Sequence, residues 1–352
     1  MINKENDYFS FLDIARGIAI LFVVFGHSIV PEIRGNNIVF ATVFNWIYSF
    51  HMPLFAVISG YLFGKSIDRY KERTFLTFVK QKFLTLIIPY LSVSIISYVG
   101  FAVAHQIPFL SGILSNTGYN MPQFWRSVYE ILLCQNNMDR HMWFAYALFF
   151  VFVLSYPLSD LVRRPIGIIV AGSLFLLNYY GTLAEVFYRV FYLWIFFTIA
   201  CQENLIDKLL KKGYIVAVLP VHIATFIIRN SNVLVPYEIA DALLAMLVGL
   251  SGAILVMSFA KNFLQPSANK LLSFLGKESF SIYILHQPFI VSGICGILLA
   301  ATNVPHILIC VGTTILGVAV SIFLSKILIG KFEVSRKLIL GKFNVSKASR
   351  GG

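Results

Sequence analysis

Apolar residues run through this chain in blocks of roughly twenty, separated by short polar loops that are mostly basic. A helix needs about 20 predominantly apolar residues to cross the hydrocarbon of a bilayer. On that criterion the pattern predicts spans near 9–30, 39–64, 83–105, 143–162, 165–181, 187–204, 214–230, 239–260, 279–301 and 306–329. The expected fold is all-α: an integral membrane protein, a polytopic bundle of about ten transmembrane helices. The second span contains Pro53 and Gly60. A break is expected there, because proline leaves a carbonyl unpaired, while Gly60 allows another helix to come close. No internal repeat is evident.

Composition strengthens this reading. Of 352 residues, 58% are hydrophobic and 12% charged, with mean hydropathy +0.79. A soluble domain carries about 25% charged residues, and so large an apolar excess cannot be hidden in one core. The net charge of +12 does not point to nucleic acid, because the positive residues sit in loops between apolar runs. One set of loops holds Lys65, Arg69, Lys71, Arg73, Lys80 and Lys82, then Arg163 and Arg164, Lys208, Lys211 and Lys212, and Lys261, Lys270 and Lys277. The C-terminal stretch adds Lys331, Arg336, Lys337, Lys342, Lys347 and Arg350. The alternate loops hold Arg34, Arg126 and Arg140. Cytoplasmic loops carry the excess of Lys and Arg, so both termini are expected in the cytoplasm and segment 106–142 outside. Residues 1–332 read as the membrane domain and 333–352 as a basic cytoplasmic tail lying on anionic lipid.

The first apolar stretch carries Asp13 and Arg16 and lacks a small-residue cleavage site, so it is expected to remain as a span. Cys134, Cys201, Cys295 and Cys310 are scattered. They read as buried small hydrophobes, not as a metal site or disulfide framework, and no metal is expected.

Ionisable residues inside spans are costly and face protein or a water-filled cavity. In "ARGIAILFVVFGHS", Arg16 and His27 are eleven residues apart. At 100° per residue that is 20° past three turns, so the two share a face about 16 Å apart along the axis. Asp13 lies within side-chain reach of Arg16. Alone, this pattern fits an ion pair for folding plus an interfacial histidine as well as it fits a site. His51 precedes Pro53 in "FHMPLFAVISGYLF". His141 and Trp143 open "HMWFAYALFF" at an interface, where an aromatic belt also accounts for the tryptophan. In "SFSIYILHQPF", Ser279, Tyr283 and His286 form a polar stripe, which either bonds to another helix or lines a cavity.

These stretches, with "FLDIARGIAILFVVFGHS" and "KFLTLIIPYL", together resemble the acyltransferase type 3 family of bacterial integral membrane proteins. The family's marker of arginine, ten residues, then histidine falls on Arg16 and His27. Its pair of arginines before the third span falls on Lys82 and Thr85, a departure, with Lys80 close by. The resemblance implies a multi-pass protein of the bacterial cytoplasmic membrane. It would transfer an acetyl group from cytoplasmic acetyl-CoA to a hydroxyl of a polysaccharide, free or lipid-linked. His27 would serve as general base or acyl-carrying nucleophile. Arg16, oriented by Asp13, would position the donor. His51, Lys80, Lys82, His141, Trp143, Ser279, Tyr283 and His286 are the further candidates for donor or acceptor binding. Trp125 and Tyr129 in the outer segment are possible sugar contacts. The competing class is a transporter of a lipid-linked sugar or small solute, since polar stripes in a bundle suit that equally. A structural scaffold in glycan assembly is the third. Acceptor identity and oligomeric state are not legible.

Overall fold

The computed structural model describes residues 10–108, 110–111, 123–179, 185–231 and 238–343. Among them every regular element is helical. The first are α1 (Ser10–Ser28), α2 (Pro31–Asn36), α3 (Ile38–Lys65), α4 (Phe75–Lys82) and α5 (Ile88–Ala104). A π-turn at Phe83–Ile87 joins α4 to α5 in one continuous rod. Then come α6 (Phe124–Leu132), α7 (Trp143–Ser155), α8 (Pro165–Tyr179), α9 (Glu185–Ala200), α10 (Ile215–Asn230) and α11 (Glu238–Phe263). The last are α12 (Lys270–Lys277), α13 (Ser279–Leu285), α14 (Phe289–Ala301), α15 (His306–Phe323) and α16 (Glu333–Leu340).

Among the described residues six helices are long and apolar enough to cross a membrane, and the chain is a multi-pass helical membrane protein. The segment expected as one span over 279–301 is instead a pair, α13 and α14, bent by 61°. Pro288 lies in the break, where it cannot donate to the helix ladder. Counted as one broken span, the pair makes seven. The number expected from hydropathy was about ten. The difference lies in α7, α8 and α9, whose 13, 15 and 16 residues fall short of the roughly 20 a perpendicular crossing needs.

Glycine-to-backbone contacts set how the helices meet. A Cβ on Gly17 of α1 would lie 2.1 Å from the carbonyl oxygen of Leu272, and one on Gly276 of α12 would lie 1.7 Å from that of Asp13. The two helices therefore touch backbone to backbone at two points. Gly60 of α3 is held the same way: a Cβ there would lie 2.2 Å from the Phe197 oxygen of α9, a close approach of the kind expected at this glycine. The expected break at Pro53 is absent: α3 runs unbroken for 28 residues. Gly249 of α11 makes room for the proline ring, whose Cγ would be 3.0 Å from a Cβ there. Dense packing of this kind lets membrane helices tolerate proline.

The four cysteines are buried and free. Of the stretch read as a tail, residues 333–340 form α16, which packs against α5 and buries Leu340. Glu278 anchors this corner through ion pairs to Lys326 and Lys342. The remainder, 344–352, lies outside the described residues.

Candidate active site

Four chain segments bring histidines to one place. α1 delivers His27 in its last turn. The first half of α3 delivers Tyr48 and, one turn on, His51. A 3-10 turn over Arg140–Met142 delivers His141, and His286 caps the C-terminus of α13. The ring centroids of His27 and His286 are 5.1 Å apart, those of His141 and His286 5.1 Å, and those of His27 and His141 6.5 Å.

Each ring is held by its second nitrogen or its neighbours. His27 Nδ1 is 3.3 Å from the Tyr48 hydroxyl. His51 Nδ1 donates to the Ile47 carbonyl at 2.8 Å. His286 Nδ1 donates to the Tyr283 carbonyl at 2.8 Å. The Tyr283 hydroxyl donates to the His141 carbonyl at 2.6 Å, which pins the turn that carries His141. The Nε2 atoms of His141 and His286 are buried with no hydrogen-bond partner. Buried nitrogens of this kind normally have one, and a substrate hydroxyl or carbonyl would serve.

A cavity of about 500 Å³ opens beside the cluster, lined by His27, Tyr48, His51, His141, Trp143 and Tyr283 together with Arg140, Arg189 and Tyr192. A second, of about 340 Å³, lies over His27 and is bordered by Arg34, Tyr48, Asn137, Arg140 and His141. A third, of about 360 Å³, is polar, with Asn45, Ser49, Arg229 and Asp241 in its wall. Tyr48 belongs to all three. Behind His141, Asp139 is buried and accepts from Ser97 Oγ at 2.7 Å and from Asn136. Burial pushes its carboxyl up to about 6, against the pull of these hydrogen bonds. Among the described residues no group of three His, Cys, Asp or Glu side chains is arranged to hold a metal ion.

Of the residues singled out from sequence, His27, His51, His141, Trp143 and Tyr283 share the larger cavity, and His286 stands against two of them. Asp13 and Arg16 are at the other end of α1, about 16 Å of helix rise away. Arg16 Nη1 donates to Asp13 Oδ1 at 3.3 Å, and neither residue lines these cavities. Lys80 is exposed on α4. Lys82 sits among aromatic rings, its ammonium 3.7 Å from the centroid of Phe152. Ser279 is buried but lines neither His27 cavity. Trp125 and Tyr129 are on the exposed face of α6 and take no part. Tyr48, Arg34, Arg189 and Tyr192 were not singled out. Tyr48, three residues before His51, shares its helix face, and Arg34 stands out only as a cation in a loop set that holds few.

The sequence model of the family described as "Acyltransferase domain", Acyl_transf_3, matches residues 9–326. The chain belongs to this acyltransferase family. It is also 41% identical over 81 residues to the Nodulation protein NolL of Sinorhizobium fredii, covering 22% of this chain and 21% of the relative. The Nodulation protein NolL of Mesorhizobium japonicum is 38% identical over 81 residues, with the same coverage. The chain thus spans about a fifth of the length of these curated relatives in the matched region. No solved structure matches. What the match shows is membership of an acyltransferase family by a multi-pass helical membrane protein.

Proposed function

We propose that this protein takes an acetyl group from acetyl-CoA on the cytoplasmic side of the bacterial inner membrane and places it on a hydroxyl of a cell-surface glycan or its lipid-linked precursor. The observation that carries the reading is the meeting of His27, His141 and His286 beside a cavity of about 500 Å³ in a chain of an acyltransferase family. In the proposed topology both termini are cytoplasmic and α7, α8 and α9 cross as short spans around which the bilayer thins, giving about ten crossings. The acetyl-CoA headgroup docks near Arg16, Lys80 and Lys82, and its arm carries the thioester up the bundle toward His27.

In the general-base route, the acceptor hydroxyl gives its proton to an imidazole nitrogen of His27 as its oxygen attacks the thioester carbonyl. The tetrahedral intermediate then collapses, the C–S bond breaks, and the imidazolium returns the proton to the departing thiolate. In the nucleophilic route, His27 attacks the thioester carbonyl, the C–S bond breaks and CoA leaves as the thiolate; the acceptor hydroxyl oxygen then displaces the imidazole from the acyl-histidine, and its proton passes to the thiolate. Both need an imidazole nitrogen with a free lone pair. The Tyr48 hydroxyl supports this by accepting from Nδ1–H, which leaves Nε2 unprotonated. The Tyr283 hydroxyl is engaged with the His141 carbonyl, so its part is to hold the site's shape. Arg140 and Arg189 line the cavity, so negative charge developing on the carbonyl oxygen forms in a positive field.

The test is acetyl transfer by purified protein with labelled acetyl-CoA, paired with mass analysis of surface glycan from cells with and without the gene. His27→Ala protein that inserts and unfolds normally should lose transfer by 100-fold or more, the scale of general acid–base catalysis. Full activity in that variant, or transport of a solute without acetyl-CoA consumption, would overturn the assignment.

A further inference from the structure

The small cavity over His27 has an unusual charge pattern. Four cations line the three cavities that meet at Tyr48: Arg34, Arg140, Arg189 and Arg229. All are arginines, and no lysine lines any of the three. Two of the four are neutralised. Arg189 pairs with Glu185, and Arg229 with Asp241 at 2.9 Å. Arg34 and Arg140 have no ion pair among the described residues. Both line the cavity of about 340 Å³ with His27, and no carboxylate lines it. Asp139, next to Arg140 in sequence, is turned to Ser97 and Asn136, and Glu32, two residues before Arg34, does not line the cavity. Arg34 lies over a ring, its guanidinium carbon 4.1 Å from the Phe44 centroid, and Phe44 stacks on Tyr48 at 4.0 Å. Beside them, His141 is 8% exposed and its Nε2 has no partner.

Arginine presents a planar fork that matches carboxylate and phosphate oxygens, where lysine is a point charge. A loop set otherwise poor in cations keeps two of them, unneutralised, facing the reacting histidine. We propose that this cavity binds an anionic group of the acceptor, a carboxylate or phosphate, gripped between Arg34 and Arg140 so that the neighbouring hydroxyl reaches His27. The substrate class is therefore an acidic saccharide or a phosphate-bearing, lipid-linked one, not a neutral glycan. The identification of this ligand as the acceptor rests on the acyl-transfer reading above. The anion site itself does not.

Equilibrium binding to the full chain in detergent tests it. One arm compares a glucuronate-containing oligosaccharide with its methyl ester, the other polyprenyl phosphate with polyprenol. Charge-assisted hydrogen bonds are worth about 1.5–3 kcal/mol, so the anionic member of at least one pair should bind roughly ten- to a hundred-fold more tightly. Preference in the first arm assigns a sugar acid, and in the second a lipid-linked phosphate. Arg34→Gln and Arg140→Gln should each remove most of that preference, and Arg140→Lys should restore part of it. Equal binding within both pairs by the unaltered protein overturns the proposal without recourse to any variant. His27→Ala protein should keep the preference while losing transfer. If acyl transfer is absent but the preference stands, only the catalytic reading has failed.

Discussion

The hydroxyl of Tyr48 gives the sharpest test of how His27 is set for chemistry. Tyr48→Phe removes one oxygen, 3.3 Å from His27 Nδ1, and leaves the ring stacked on Phe44. The wall shared by the three cavities stays in place, so substrate binding should change little. What is lost is one hydrogen bond to a neutral imidazole, worth about 0.5–1.5 kcal/mol net. At 1.36 kcal/mol per decade that is a fall in kcat of about 2- to 13-fold. It arises because Nδ1–H no longer has a fixed acceptor and the ring samples the tautomer whose Nε2 is already protonated. The assay is initial-rate acetyl transfer at saturating acetyl-CoA and varied acceptor, with the unfolding midpoint in detergent as a control on structure. A positioning role lowers kcat and kcat/KM together and leaves KM within about twofold. An unchanged kcat refutes the tautomer argument. A loss of 100-fold or more refutes it in the other direction, since a hydroxyl that mattered so much would itself be exchanging a proton with substrate.

Gly276→Ala should lower the unfolding midpoint markedly, since its Cβ would sit 1.7 Å from the Asp13 oxygen and overpacking costs about 1–3 kcal/mol. Gly293→Ala, with nothing within 4 Å of its Cβ, should be neutral or gain up to about 1 kcal/mol of helix propensity; equal effects from the two would refute the contact. Asp139 titrates at about 6 in the folded chain, raised from 3.8 by burial. The folded state therefore holds a proton that the unfolded chain releases, and stability is fully present below about pH 4 and lost as pH rises through about 6. The roughly two units correspond to about 3 kcal/mol. Asp139→Asn should flatten that dependence and unfold later than the parent protein at pH 7, as read from unfolding midpoints across pH 4–7. Lys82→Ala should raise KM for acetyl-CoA several-fold with kcat little changed, and Lys82→Arg should not; a fall in kcat alone would place Lys82 outside donor docking.

The sequence revealed the site's membership better than its assembly. The 100° arithmetic that put Arg16 and His27 on one face is local to a single helix and needs no tertiary information. His51, His141 and His286 could be recognised as costly polar groups in apolar runs, and they do converge. That they converge with His27 depends on how four segments pack, which no single-helix periodicity encodes. The stripe from Ser279 to His286 assumed a straight helix. α13 in fact keeps its register through His286, whose N–H still bonds to the Ile282 carbonyl, and the helix breaks only beyond it; Ser279, two turns earlier, stays outside the cluster. Tyr48 was passed over because a tyrosine among aromatic residues at a membrane interface carries no local signal. Only its distance to His27, 21 residues away in sequence, gives it a role.

The geometry of α1 also bears on how a donor at one end and an acceptor at the other can meet. At its first turns the helix is locked to α12 by two glycine-to-carbonyl approaches, Gly17 to Leu272 and Gly276 to Asp13. At its last turn a Cβ on Gly26 would lie 3.0 Å from the Tyr48 ring, so that end is fixed too. A rod set against backbone at one end and against an aromatic ring at the other is poorly placed to carry a bound group across the bundle by sliding or turning, because such motion drives it into its neighbours. On the proposed reading, in which the donor docks at Arg16, the roughly 16 Å from there to His27 must then be covered by the donor itself. A thioester at the tip of a long, flexible arm suits that task, where a short activated acyl group would not. The corollary is testable with truncated donors. Acetyl thioesters of pantetheine fragments that keep the arm but lack the nucleotide should still react, with a raised KM. An acetyl thioester of a two-carbon thiol should lose kcat as well, since it cannot bind at the Arg16 end and present its carbonyl to His27 at the same time.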